Sequence, residues 1–389
     1  MNTFNSRLAT LAALALAVSS LFVGCGGSGG SGGDQKDEPD APSVDEVAFA
    51  RGADVSWASE MEYDMTHSPS RISGTAFKDS KGNAGLYPVL KAAGINAIRL
   101  RVWVKPEDPN GWSGKDDVVR MAKRAAEAGM AVMIDFHYSD FFADPSRQNT
   151  PSEWSGLDLN GLCAKVADHT RDVLTALKSA GVTPLWVQVG NETRPGMLWE
   201  TGRLYNDKGE IAGGWSNYAT LSNAGYDAVK AIFPDANVII HIDNAYEDNT
   251  WFFDKLKAAG GKFDMIGLSH YPMTNESMTW KAMNSAAVLN IKTLAAKYGC
   301  KVMVCEIGVK ATSASEIATS TQCMTEFMNS VKSLSVCAGV FYWEPQVDGK
   351  WRPSIYEKPG RNWGAYNMGA FTSDGSVLSP TSIMSAFGE

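Results

Sequence analysis

Two stretches of the chain carry apolar runs that stop at a carboxylate. Leu185-Trp186-Val187-Gln188-Val189-Gly190-Asn191-Glu192 ends in an amide and an acid, and Val302-Met303-Val304-Cys305-Glu306-Ile307-Gly308 repeats the design. Runs of this length, bounded by turn residues, read as strands buried on both faces. The C-terminal tips of such strands are where parallel α/β architectures gather their chemistry. A plainer reading of each tip stays open, because Asn and Glu are common where a strand turns into a helix. Two carboxyls in one cleft could divide the work of glycoside hydrolysis, which needs them about 5–5.5 Å apart to retain anomeric configuration and further apart to invert it. The nucleophile must be ionised, and a neighbouring cation such as Arg99 would lower its pKa. The acid must keep its proton, which a drier pocket favours.

The rest of the chain supplies elements to hold these tips. Short apolar runs recur at Asp54–Trp57, Ala97–Val104, Ala131–Tyr138, Leu185–Gly190, Val238–Ile242, Met265–Ser269, Val302–Ile307 and Val340–Trp343. Helical patterns lie between them, at Asp116–Ala128, Leu159–Ala180 and Trp280–Tyr298, each followed by a glycine suited to a left-handed cap. Eight strands alternating with helices imply a parallel sheet, and their span fits a single (β/α)8 barrel. A doubly wound open sheet would want a glycine-rich phosphate turn after the first strand, and Trp57-Ala58-Ser59-Glu60 is not one.

Reading the expected tips in turn gives Asp54, Ser56 and Glu60; Arg99, Arg101 and Trp103 on one face; Asp135-Phe136-His137-Tyr138-Ser139-Asp140; Asn191-Glu192; Asp243-Asn244; Ser269-His270-Tyr271-Pro272; Glu306; and Tyr342-Trp343-Glu344. Fold stability does not ask for so many acids, aromatics and cations at one end. The chain also holds 12 Trp, 12 Tyr and 15 Phe, which suits stacking on sugar faces, or equally the filling of a large core. A net charge of −8 argues against nucleic-acid binding, which would need a basic face.

Within the large clan of retaining (β/α)8 glycosidases, the chain resembles glycoside hydrolase family 53, the endo-β-1,4-galactanases. The resemblance runs from about Arg51 to the C-terminus. It is carried by Gly52-Ala53-Asp54-Val55-Ser56, Ile98-Arg99-Leu100-Arg101-Val102-Trp103-Val104, and Asp135-Phe136-His137-Tyr138-Ser139-Asp140 with Ala143-Asp144-Pro145, Gln148, Pro151 and Trp154. Val187–Glu192, Gly267-Leu268-Ser269-His270-Tyr271-Pro272, Glu306-Ile307-Gly308 and Asn362-Trp363-Gly364-Ala365-Tyr366-Asn367 complete it. The resemblance implies Glu192 as acid/base and Glu306 as nucleophile. It implies Asn191 on the sugar 2-hydroxyl, Arg99 and Tyr271 orienting Glu306, His137 lining the same subsite, Trp343 as stacking floor, and Asp54 and Trp363 on neighbouring sugars. Phe142 stands where the family usually has Trp, and His270 where it usually has Tyr; both read as lying on cleft-forming loops. Some bacterial relatives bind calcium, but no carboxylate cluster is evident here, so no cofactor or required metal is expected. The expected partner is the polysaccharide β-1,4-galactan, acted on by a monomer. Alternatives are a clan relative acting on mannan or xylan, and a non-catalytic surface glycan-binding protein.

The N-terminal segment has its own signals. Arg7 precedes an apolar run from Leu8 to Val23 that is too short for a stable transmembrane helix. Leu21-Phe22-Val23-Gly24-Cys25 resembles a bacterial lipoprotein signal, with Cys25 lipidated, although Phe22 is unusual at its place. An ordinary secretory signal is the alternative. Residues 1–24 are thus expected to be a signal peptide, 25–47 a lipidated Cys with a Gly/Ser-rich, acidic tether, and 48–389 the catalytic domain. Such a tether resembles those of surface-exposed lipoproteins in Bacteroidetes-like bacteria, which implies an exported, outer-membrane lipoprotein facing outward. Cys163, Cys300, Cys305, Cys323 and Cys337 show no metal-like spacing. Cys300 and Cys337 precede adjacent strands and could form a disulfide or stay as buried thiols, while Cys305 should point away from Glu306 by strand alternation.

Overall fold

A computed structural model describes residues 47–357 and 366–388. Cys25, the expected signal and tether, and Trp363 lie outside the described residues. Eight parallel strands close a barrel: β1 (Ala50–Asp54), β2 (Ala97–Val102), β3 (Ala131–Phe136), β4 (Trp186–Val189), β5 (Asn237–Ile242), β6 (Met265–His270), β7 (Val302–Ile307) and β8 (Cys337–Trp343). Each pairs with its sequence neighbours, and β1 closes the ring on β8 from Ala50↔Gly339 to Asp54↔Trp343. The first strand thus lies earlier than the run Asp54–Trp57 suggests. Its ladder is exhausted at Asp54, whose Oδ1 accepts hydrogen bonds from the backbone N–H (3.0 Å) and hydroxyl (2.6 Å) of Ser56 and so turns the chain away.

Helices α1 (Ala58–His67) and α2 (Leu86–Ala92) follow β1, and one helix follows each later strand as far as β7. These are α3 (Lys115–Glu127), α4 (Leu159–Ser179), α5 (Gly214–Ile232), α6 (Thr250–Ala258), α7 (Trp280–Tyr298) and α8 (Ala314–Lys332). Asp158 caps α4 and Thr279 caps α7 through their side chains, while Gly299 ends α7 at φ 68°, a conformation glycine adopts without steric penalty. After β8 a 3-10 helix, Ser382–Phe387, buries Ile383, Met384 and Phe387 against the core beside α8.

Strand alternation sorts the barrel into two layers. Outward residues such as Val132, Ile134, Val187, Val304 and Val340 join the helices in one continuous core. Inward residues Ala50, Ala97, Met133, Trp186, Ile239, Met303 and Phe341 fill the lower interior. Phe341 crosses so close to β1 that a Cβ on Gly52 would lie 2.1 Å from its ring, so only glycine fits there. Above this apolar plug the inward positions become polar: Arg99, Asp135, Gln188, His241 and Ser269, all buried. The plug closes the floor of the barrel with apolar side chains, and the polar layer lies above it.

Cys300 and Cys337 are free thiols. Among the described residues no three His, Cys, Asp or Glu side chains group as a metal site.

Candidate active site

The polar layer is organised on Arg99 of β2, which is 1% exposed. Its Nη1 donates to Asp54 Oδ2 (2.6 Å), its Nη2 to Asp135 Oδ2 (2.9 Å) and Asn191 Oδ1 (2.9 Å), and its Nε to Gln188 Oε1 (2.6 Å). Nη2 also lies 3.0 Å from Glu306 Oε1. A buried guanidinium is tolerated only when its donors are matched in this way. The arrangement brings Asp54, Arg99, Asn191 and Glu306 together. Asp54 is fully buried beneath Arg99, with both carboxylate oxygens taken by protein donors.

Glu306 reaches this layer through an irregularity in β7. Val304 pairs with Leu268 of β6, but the next partner of β6, Ser269, is Glu306. On the other side Val304 pairs with Val340 of β8 and Ile307 with Tyr342, so Cys305 and Glu306 together face one residue. This bulge re-aims the carboxyl. It also overturns the expectation for Cys305, which joins the inward cluster with Met303 and Ile239 and sits close enough to Arg99 and Glu306 to feel their charges. Burial pushes its thiol well up, which leaves it protonated and inert.

Glu192 stands past the end of β4 with φ 47°. Tyr138, Asn244 and Glu344, beyond β3, β5 and β8, share this left-handed backbone. The conformation is uncommon for non-glycine residues and costs of order 1–3 kcal/mol each, so four on one rim mark it as built for function. The Gln148 amide holds the turn by donating to the carbonyls of Asn191 (2.8 Å) and Glu192 (3.3 Å).

The two acids differ in surroundings. Withdrawal from water pushes Glu192 well above the ordinary range, and the negative charges of Glu306, Asp243 and Asp144 push the same way, opposed by a hydrogen bond from Ser269. Burial also raises Glu306, but Arg99 and the Tyr271 hydroxyl (2.7 Å to Oε2) oppose it. Arg99 therefore acts on Glu306 as expected without bringing it below the ordinary range, because Asp54 and Asp135 share the same cation. Of the pair, Glu306 ionises first and Glu192 keeps the proton. At Asp135 burial is outweighed by Arg99 and by His137, which hold it at about 2.

His137 is occupied on both ring nitrogens: Nε2 donates to Asp135 Oδ2 (2.9 Å) and Nδ1 accepts from the Ala143 N–H (2.9 Å). Trp343 is partly exposed beside this layer, edge-on to Trp57 (5.1 Å) and Tyr366 (5.2 Å). Phe142 stacks on Arg101 (4.6 Å) and near Trp343 (6.4 Å), so it belongs to this aromatic wall. His270 does not reach a cleft: it points outward, with Nε2 2.9 Å from Asn284 Oδ1 of α7 and its ring 4.7 Å from Phe327 of α8. Sequence reasoning passed over Gln188 and His241, which link Arg99 to the Glu192 side of the site. Their signal was a polar residue at an inward position of an apolar strand.

A closed (β/α)8 barrel with two acids in opposed environments on its C-terminal rim defines the class: a glycosidase. Residues 50–384 match the sequence profile of glycosyl hydrolase family 53, and the chain belongs to that family. It is 35% identical over 295 residues to an arabinogalactan endo-β-1,4-galactanase of Thermothelomyces thermophilus, covering 70% of this chain and 84% of that one. An uncharacterized protein of Niallia circulans is 32% identical over 369 residues, covering 88% and 94%. Among solved structures, a fungal β-1,4-galactanase aligns with TM-score 0.71 at 30% identity, covering 87% of this chain and 98% of that one. The family 53 catalytic domain of Ignisphaera aggregans aligns with TM-score 0.70 at 26% identity, covering 90% and 97%.

Proposed function

We propose that this protein is an endo-β-1,4-galactanase acting on the galactan side chains of pectin with retention of configuration. The observation that carries the reading is the opposed pair, Glu306 beside Arg99 and Tyr271 against Glu192 among carboxylates, in a family whose named relatives here are galactanases. In the first step Glu306 attacks the anomeric carbon while Glu192 gives its proton to the departing glycosidic oxygen. The bond from that carbon to the oxygen breaks, and a glycosyl ester to Glu306 forms. In the second step Glu192, now ionised, takes a proton from water, whose oxygen attacks the same carbon and releases Glu306. Asn191, held by Arg99 and by the Ala143 carbonyl (2.8 Å), offers its amide toward the sugar, and Trp343 supplies an apolar face.

The test is reducing-sugar release from linear galactan, with β-mannan and xylan alongside, using protein beginning at Ala48. Short galacto-oligosaccharides from galactan alone are expected. Activity on another glycan would move the substrate, and binding without turnover would favour a glycan-binding protein.

The N-terminal reading extends to location: export, lipidation at Cys25 and display of a monomer at the cell surface. Its support is the signal-like sequence and the acidic tether. Labelled fatty acid should enter the wild-type chain and not Cys25→Ala; equal labelling of both would contradict the anchor.

A further inference from the structure

Between β3 and α4 the chain makes a loop that is tied together by its own side chains. Asp140 Oδ2 accepts from both the N–H and the hydroxyl of Ser152, each at 2.8 Å. At the tip Asp144 and Arg147 exchange backbone hydrogen bonds of 2.8 and 3.0 Å, and Asp144 Oδ1 accepts from the Ser146 N–H at 2.8 Å. The residue that follows this tight turn is Gln148, polar and only 2% exposed.

Gln148 Nε2 lies 2.8 Å from the Asn191 carbonyl, 3.3 Å from that of Glu192 and 3.3 Å from that of Asp144. Carbonyl oxygens only accept, so the NH2 end of the amide must face them. The main chain of the same loop grips the segment beyond β4 a second time. There the Gln148 carbonyl accepts from the Trp199 N–H (2.7 Å), and the Thr150 hydroxyl donates to the Trp199 carbonyl (2.7 Å). Ala143 adds a third contact, donating its N–H to His137 Nδ1 (2.9 Å) and accepting from the Asn191 amide (2.8 Å). One loop thus holds the chain on both sides of Glu192, and none of these bonds involves the Glu192 carboxyl.

Glu192 sits at φ 47°, a backbone that a non-glycine residue keeps only where its surroundings over-determine it. Its N–H points to His241 Nδ1 at 3.4 Å, and the Thr193 N–H donates to the His241 carbonyl at 2.8 Å. β5 therefore holds the N–H side of the turn, and Gln148 holds its carbonyl side. We infer that Gln148 is a positioning residue for proton transfer: by fixing the carbonyls of Asn191 and Glu192 it sets the direction in which the Glu192 carboxyl points. A general acid must come within hydrogen-bond reach of the oxygen it protonates, and a displacement of about 1 Å costs on the order of 100-fold. Glu306 is held separately, by Arg99 and Tyr271. The Asn191 side chain likewise keeps its own partners, Arg99 and the Ala143 carbonyl. Loss of the Gln148 amide should therefore damage protonation of the leaving group and spare nucleophilic attack.

The inference rests on Glu192 being the acid/base, so its test carries Glu192→Ala alongside. Gln148→Met fills the site but cannot donate. The readout is kcat/KM on linear galactan and on an aryl β-galactobioside whose leaving group departs without a proton. For Gln148→Met a fall of about 10- to 100-fold is expected on galactan, with the aryl substrate unchanged. Glu192→Ala should show the same contrast more strongly. Equal losses on both substrates in Gln148→Met, or no loss on galactan, would overturn the inference while leaving Glu192 as acid/base. No contrast in Glu192→Ala would overturn that assignment and the inference with it. Gln148→Asn keeps an amide one methylene short of the two carbonyls and should give the same contrast where the Met variant does not fold. Failure of both to fold would make Gln148 a folding residue and overturn the inference.

Discussion

Arg99 Nη2 stands 3.0 Å from Glu306 Oε1, whereas the charges that act on Glu192 are those of Glu306, Asp243 and Asp144. One cation placed nearer one acid is enough to separate two residues of identical chemistry. That asymmetry is what supports the proposed roles, in which the carboxyl that ionises first attacks and the one that holds its proton donates it.

Replacing Glu306 by Ala should lower turnover of galactan by roughly 10⁴-fold or more, the scale of losing a catalytic nucleophile. Galactan binding, measured by affinity electrophoresis, should persist. An Ala variant that loses binding as well would assign Glu306 a structural role.

Removing the Tyr271 hydroxyl in Tyr271→Phe deletes a hydrogen bond that favours ionised Glu306. The pKa of Glu306 should rise, so the acidic limb of the kcat/KM profile moves to higher pH. The rate at the optimum should fall about 10- to 100-fold, the scale of a hydrogen bond to a charged group. An unmoved limb would mean that Tyr271 acts on the substrate instead.

On the other side of the site, Arg194 holds Asp243 through Nε to Oδ1 at 2.5 Å and through its main-chain oxygen at 2.6 Å. Asp243 in turn raises Glu192. Arg194→Met would leave that negative charge uncompensated, so Glu192 should hold its proton to still higher pH. The basic limb of the pH–rate profile is expected to move upward, and a downward shift would contradict this coupling.

Much of this design can be read from the chain. Apolar runs ending in Asn191-Glu192 and Glu306 locate both acids, and alternation correctly groups Arg99 with Arg101. Alternation fails at Cys305 and Glu306 because a bulge is set by pairing with β6 and β8, which no local pattern in β7 reports. His270 looks like a cleft residue in sequence, yet it packs against Phe327 of the helical layer. The line Gln188–His241–Ser269 joins residues 53 and 28 positions apart, and only the lateral pairing of β4, β5 and β6 puts them in contact.

Glu60 offers a stability test away from the reacting atoms. Burial raises its pKa from 4.5 to about 7, although the Ser354 N–H (2.6 Å) and Arg71 oppose the shift. A carboxyl raised by folding costs stability as pH climbs from about 4.5, where the unfolded chain ionises, to about 7, where the folded one does; above that the cost is constant. Glu60→Gln keeps an acceptor for Ser354 and removes this penalty. Relative to wild type it should gain on the order of 3 kcal/mol between pH 4 and pH 8, read by chemical denaturation at both. A pH-independent difference would refute the linkage.

The most direct measurement is to trap the glycosyl-enzyme with an activated 2-deoxy-2-fluoro-galactobioside and locate the adduct by peptide mass spectrometry. The account predicts a single modified residue, Glu306. An adduct on Glu192, or no adduct with products of inverted configuration, would contradict it.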